Sequence, residues 1–259
     1  MTDGPRPSLR TIQILTSAAA LGAVAVLCWV FLVRSEAAMA NMTGEGSIMQ
    51  LMRVMMIPED PGPYLAAAGL MWIVMMIAMM IPAALPMMAV YRQVDRSPSP
   101  GLDAFVFACG YLAGWSAYAI AAAALQWWLH ARGSLRGMML AGAAPLSAAL
   151  LIIAGVYQLT PLKDACLTRC RSPLGFFLAH WHPGRAGAFA MGLHHGLFCV
   201  GCCWSLMLLM FVGGAMSVAT MATLCVFILA ERLLPAGPWV RTIPGVLLIG
   251  WGVALAVVG

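Results

Sequence analysis

Charge is what this 259-residue sequence has least of: Asp, Glu, Lys and Arg together make up 9% of it. A soluble globule of that length needs more charge to cover its surface, and the 63% hydrophobic content and mean hydropathy of +0.91 exclude one for the same reason. Seven stretches hold no Asp, Glu, Lys or Arg at all: residues 12–33, 64–90, 104–129, 139–160, 186–212, 214–230 and 242–258. Each approaches the roughly 20 residues that span bilayer hydrocarbon. Acids are thus missing from every apolar stretch, which disfavours proton-coupled transport of the carboxylate type. No phosphate-cradling glycine loop is present, and no Ser/His/Asp set can be placed at one depth, so no hydrolase arrangement appears.

What is there predicts an all-α protein: a polytopic transmembrane bundle of seven helices, forming one integral membrane domain over residues 1–259 in contact with the lipid bilayer. The first stretch follows Arg6 and Arg10 and precedes Ala38-Met39-Ala40, the pattern of a cleaved signal. Its apolar run of about 22 residues exceeds the roughly 7–15 of a signal, so a retained helix is expected, and cleavage would leave six helices. Orientation follows from basic residues, which collect on the cytoplasmic side. With the N-terminus inside, the inner segments hold Arg6, Arg10, Arg92, Arg96, Lys163, Arg169, Arg171, Arg185, Arg232 and Arg241. The outer ones hold Arg34, Arg53, Arg132 and Arg136. The expectation is a multi-pass protein of a bacterial inner membrane with a cytoplasmic N-terminus. Topology accounts for the net charge of +5, which calls for no nucleic-acid partner.

Two connections are long. Residues 34–63, expected in the periplasm, carry Met39, Met42, Met49, Met52, Met55 and Met56 before the turn-prone Pro58 to Pro63, and are read as an amphipathic segment on the membrane surface. Residues 161–185, expected in the cytoplasm, contain Cys166, Cys170, His180 and His182. Gly213 alone separates the fifth and sixth stretches, which predicts a tight antiparallel turn.

The chemistry concentrates in the fifth stretch, from Met191 through His194, His195, Cys199, Cys202 and Cys203 to Trp204. At about 100° per residue, Met191, His195, Cys199 and Cys202 fall within an arc of about 80°, with Cys203 just beyond. A single His or Cys in an apolar helix is ordinarily a core residue; two adjacent His and three Cys in ten positions point to metal or redox chemistry. Thiolates and thioethers select Cu(I), whereas hard cations want oxygen. The second stretch offers matching thioethers, with Met75 and Met79 continuing a stripe from Met71, among 21 Met in all. Pro82 and Pro86 are expected to break that helix and free carbonyls. Gly192 and Gly196 form a small-xxx-small pair that lets another helix approach the His face. Cys166 and Cys170, four apart, are read as secondary metal handling. Cys28, Cys109 and Cys225 are read as core, and Glu231 with Arg232 as an ion pair at a helix end.

With these residues the sequence resembles a bacterial family of predicted metal-binding integral membrane proteins rich in Met and Cys. The resemblance rests on Met71-Trp72 with Ala78-Met79-Met80-Ile81-Pro82, on the run Tyr157 to Lys163 with Cys166 and Cys170-Arg171, and above all on His195-Gly196 with Cys199 and Gly201-Cys202-Cys203-Trp204. It covers residues 70–232 and implies metal binding without naming a reaction. Where that family has an Asn and a Glu-Lys pair, this chain has Ser217 and Glu231-Arg232.

The leading expectation is therefore Cu(I) handling (transport, storage or delivery) at a mid-membrane Cys/His/Met site, with a cuproenzyme or a copper chaperone as partner. Zinc or haem stays open, and oligomeric state is not specified. The alternatives are a membrane thiol oxidoreductase that uses Cys199 and Cys202 with a quinone or haem, and a non-catalytic assembly subunit.

Overall fold

The computed structural model describes residues 9–41, 47–56, 59–97, 99–135, 144–234, 237 and 239–258. Arg6, Met42, Glu45, Pro58 and Arg136 lie outside the described residues. Every regular element described is a helix: α1 (Leu9–Asn41), α2 (Ser47–Met56), α3 (Pro61–Val94), α4 (Pro100–Ala131), α5 (Ala144–Gln158), α6 (Pro161–Arg171), α7 (Pro173–His180), α8 (Gly184–Leu208), α9 (Met210–Gly213), α10 (Val218–Leu233) and α11 (Trp239–Val258).

Where it is described, each of the seven charge-free stretches overlaps a helix, but among the described residues five are long and apolar enough to cross a membrane by themselves: Ala18–Met39, Pro61–Val94, Pro100–Ala131, Gly184–Gly213 and Trp239–Val258. A sixth results if α5 and α6, bent by 64° at their junction, count as one span. Residues 139–143 of the fourth stretch lie outside the described residues; the α5 and α10 boundaries that are described have local causes. α5 stops at Gln158 because Pro161 opens α6, capped by the Thr160 side chain, which accepts from the Lys163 N–H at 3.3 Å. α10 starts only at Val218, because Gly214 takes a left-handed φ of 96° and Ser217 then caps the helix, accepting from the Thr220 N–H at 3.3 Å. The predicted one-residue turn at Gly213 is therefore a longer one, and Ser217 has a structural task.

The expected break in α3 does not occur: the helix runs through Pro82 and Pro86 to Val94. Pro82 has no N–H to offer the Ala78 carbonyl, and the Trp29 indole of α1 supplies the missing donor at 3.1 Å. In the described part of the Met-rich connection, α1 extends through Met39, and α2 buries Met52 and Met55 against the core while Val54 and Met56 stay exposed.

The centre of the bundle is α4, which packs on α8 along one side and on α3 along the other. α1 covers α3, α11 covers α5, and α6 lies along α8. The α4–α8 approach depends on glycine. A Cβ at Gly192 would collide with the Phe107 carbonyl, and one at Gly196 would sit 2.7 Å from the Tyr111 carbonyl oxygen, so the small-residue pair does what its spacing predicts.

Candidate metal centre

Because α8 touches α4 backbone to backbone, two large side chains one turn apart on α4 reach over the same point on α8. The Tyr111 hydroxyl lies 2.9 Å from Cys199 Sγ, and the Trp115 indole N–H donates to the same sulfur at 3.1 Å. From α10, Arg232 Nη2 donates to Cys199 Sγ at 2.6 Å and to Cys202 Sγ at 3.3 Å. Cys202 and Cys203 turn their thiols to the Cys199 carbonyl, at 3.1 and 3.0 Å. All three α8 cysteines are buried.

α6 completes the cluster. The Cys170 thiol is a hydrogen-bond neighbour of Cys202, and Cys166 Sγ packs on Gly201, 3.1 Å from where a Cβ would stand. The segment expected as a cytoplasmic connection thus folds, through α6 and α7, along the Cys/His helix, and the two cysteine motifs become one site.

Beside the thiols sits a second polar group. Lys163, the only lysine of the chain, is 0% exposed and pairs with Glu231 at 2.8 Å, while Gln158 contacts both. Arg171 Nε donates to the Glu231 carbonyl at 2.7 Å. Glu231 and Arg232 are therefore not an ion pair with each other. Neighbours on a helix point about 100° apart, so Glu231 turns to Lys163 and Arg232 to the sulfurs.

The two histidines diverge for the same reason. His195 is buried, stacked near Tyr111 (ring centroids 5.6 Å) and Phe107 (6.2 Å), and its Nδ1 has no hydrogen-bond partner. His194 faces outward, against Phe198 at 4.6 Å and His180 at 4.7 Å. Met191 is buried one turn before His195. Met75 and Met79 are buried on α3; the contacts that link this helix to the site run through the main chain, from the Met80 carbonyl to the Tyr111 hydroxyl (3.3 Å) and from the Met79 carbonyl to Cys225 (3.7 Å).

Among the described residues no group of three or more His, Cys, Asp and Glu stands ready as a metal-holding set. The thiols of Cys202 and Cys203 are turned to the Cys199 carbonyl. The donor set itself is soft, and the cation beside it is a guanidinium, which suits sulfur that carries negative charge. Sequence reasoning missed Tyr111, Trp115 and Arg232. The Gly110 and Gly114 pair on α4, facing Gly192 and Gly196, is the signal that could have placed the first two.

No curated protein and no solved structure matches the chain. A family profile does, over residues 69–255, and it describes PpoB2, a copper chaperone. The matched region begins in α3, ends in α11 and contains every thiol and imidazole of the cluster, so the chain belongs to the PpoB2 copper chaperone family.

Proposed function

We propose that this protein is a copper chaperone embedded in a bacterial inner membrane, with its N-terminus in the cytoplasm, that carries Cu(I) as cargo on Cys199, Cys202, Cys203 and Cys170 and hands it to a cuproenzyme. The observation that carries this reading is the thiol cluster of α6 and α8, in which Arg232 donates to Cys199 and Cys202 and Cys170 neighbours Cys202, in a family described as copper chaperones. A Cu(I) ion held by thiolates leaves a net negative charge on the site. Arg232 supplies the compensating charge where water cannot. Tyr111 and Trp115 hold Cys199 in place through its sulfur, and His195, Met191 and the thioethers of Met75 and Met79 serve as additional or transient soft ligands.

The membrane location is supported by the five long apolar helices and by large apolar side chains left exposed on α1 and α11, such as Leu27, Val30, Leu247 and Trp251, which lipid would cover. The orientation rests on the distribution of Lys and Arg. Thiol exchange with a partner protein needs an accessible attacking sulfur. Cys199 and Cys202 are 0% and 1% exposed, which favours holding an ion over reacting with a protein disulfide. X-ray absorption on the copper-loaded protein tests the reading: a shell dominated by sulfur is expected, and a shell of nitrogen and oxygen alone overturns it.

A further inference from the structure

Cys199, Cys202 and Cys203 are buried, so an ion arriving from water or from a donor protein meets a more exposed ligand before it reaches them. On the reading above that copper is the cargo, we propose that His180 of α7 and His194 of α8 form a second, half-exposed metal site, two imidazoles that take up a single Cu(I) ion and pass it by way of His195 to the thiols.

The two rings come from different helices and meet edge to face, with centroids 4.7 Å apart and planes at 83°. His180 Nδ1 lies 3.1 Å from the Phe176 carbonyl oxygen. A carbonyl only accepts, so the proton sits on Nδ1 and the Nε2 lone pair is left free. That is the arrangement in which a metal-ligating histidine is held: its other nitrogen donates to a backbone carbonyl, which fixes the tautomer and makes the ligating nitrogen more basic. Aromatic rings wall the pair, Phe176 stacked on His180 at 5.0 Å and Phe198 against His194 at 4.6 Å. Both histidines remain partly exposed, unlike the buried thiols of α8. The Arg169 guanidinium lies 4.6 Å from the Phe198 ring.

The inward step uses the next residue. His195 points to the core side of α8, and its buried Nδ1 has no partner, an uncommon condition that a bound cation relieves. Cys199 follows one turn later on the same face. From His194 to Cys199 the helix rises about 7.5 Å, at 1.5 Å per residue, so each transfer spans about one turn at most.

The test uses the full-length protein in detergent micelles. A variant with Cys170, Cys199, Cys202 and Cys203 all replaced by Ser is titrated with Ag(I), a monovalent ion of the same preferences. Stoichiometric binding that disappears on adding His180→Ala is the expected result, and no binding overturns the site. In the protein with its cysteines intact, His180→Ala is expected to slow the growth of thiolate-to-copper charge-transfer absorbance about tenfold while leaving its final amplitude unchanged. His180 is half-exposed, so this variant keeps the core, and the kinetic result stands even if the serine variant does not fold. An unchanged loading rate overturns the proposal. If the unaltered protein develops no charge-transfer absorbance, the thiol reading fails instead, and silver binding at the histidines then decides the second site alone.

Discussion

Lys163 on α6 and Arg232 on α10 are both buried, yet their surroundings differ. Lys163 faces a carboxylate, Glu231 at 2.8 Å, with Gln158 bridging, so its charge is matched within the fold. Arg232 directs Nη2 at two sulfurs and leaves Nε without a partner. A guanidinium in dry surroundings needs negative charge nearby, and what faces it here can supply that charge only as thiolate. The Lys163 region is a closed structural unit. On the proposed reading, the Arg232 region is complete only when the sulfurs lose their protons on binding of a soft cation.

That contrast is open to mutation. Lys163→Met should cost the most, because it strands a buried carboxylate: a loss of about 3–5 kcal/mol in unfolding free energy is expected. Adding Glu231→Leu should recover most of the loss, with copper content unchanged; a double variant as unstable as the single one would show that the pair is not self-contained. Arg232→Met should act on cargo instead, weakening Cu(I) binding about 10–100-fold in competition with a Cu(I) chelator. Equal affinity in that variant breaks the comparison. Gly192→Ala pushes a methyl group against the Phe107 carbonyl, and overpacking of that kind costs about 1–3 kcal/mol. It should displace Tyr111 and Trp115 from Cys199 and leave the Lys163 unit intact, which tryptophan fluorescence on copper loading would report. The smallest effect belongs to Tyr111→Phe, which removes the hydroxyl's contacts to Cys199 Sγ and the Met80 carbonyl and should lower stability by about 0.5–1.5 kcal/mol in chemical denaturation.

The apolar helices were readable in the sequence because a run without charges is a property of composition, and the Cys/His face of α8 was readable because it follows the 3.6-residue period. The ends of α5 and α10 were not, since they are set by single residues, Pro161 with Thr160 and Gly214 with Ser217. The position of α6 escaped for a different reason. Lys163, Arg169 and Arg171 make 161–171 look like a solvated connection, and only Glu231, 68 residues from Lys163, neutralises the lysine and lets the segment pack inward. Cys170 reaches Cys202 as a consequence of that distant pairing. The divergence of His194 from His195, and of Glu231 from Arg232, was available from helical geometry: adjacent residues on a helix do not share a face.

Elemental analysis of the purified full-length protein, beside a variant with Cys199, Cys202 and Cys203 replaced by Ser, bears most directly on the central claim. Copper in stoichiometric amount in the first, and its loss in the second with the fold preserved, is the predicted result. Copper retained in full by the serine variant would contradict the account.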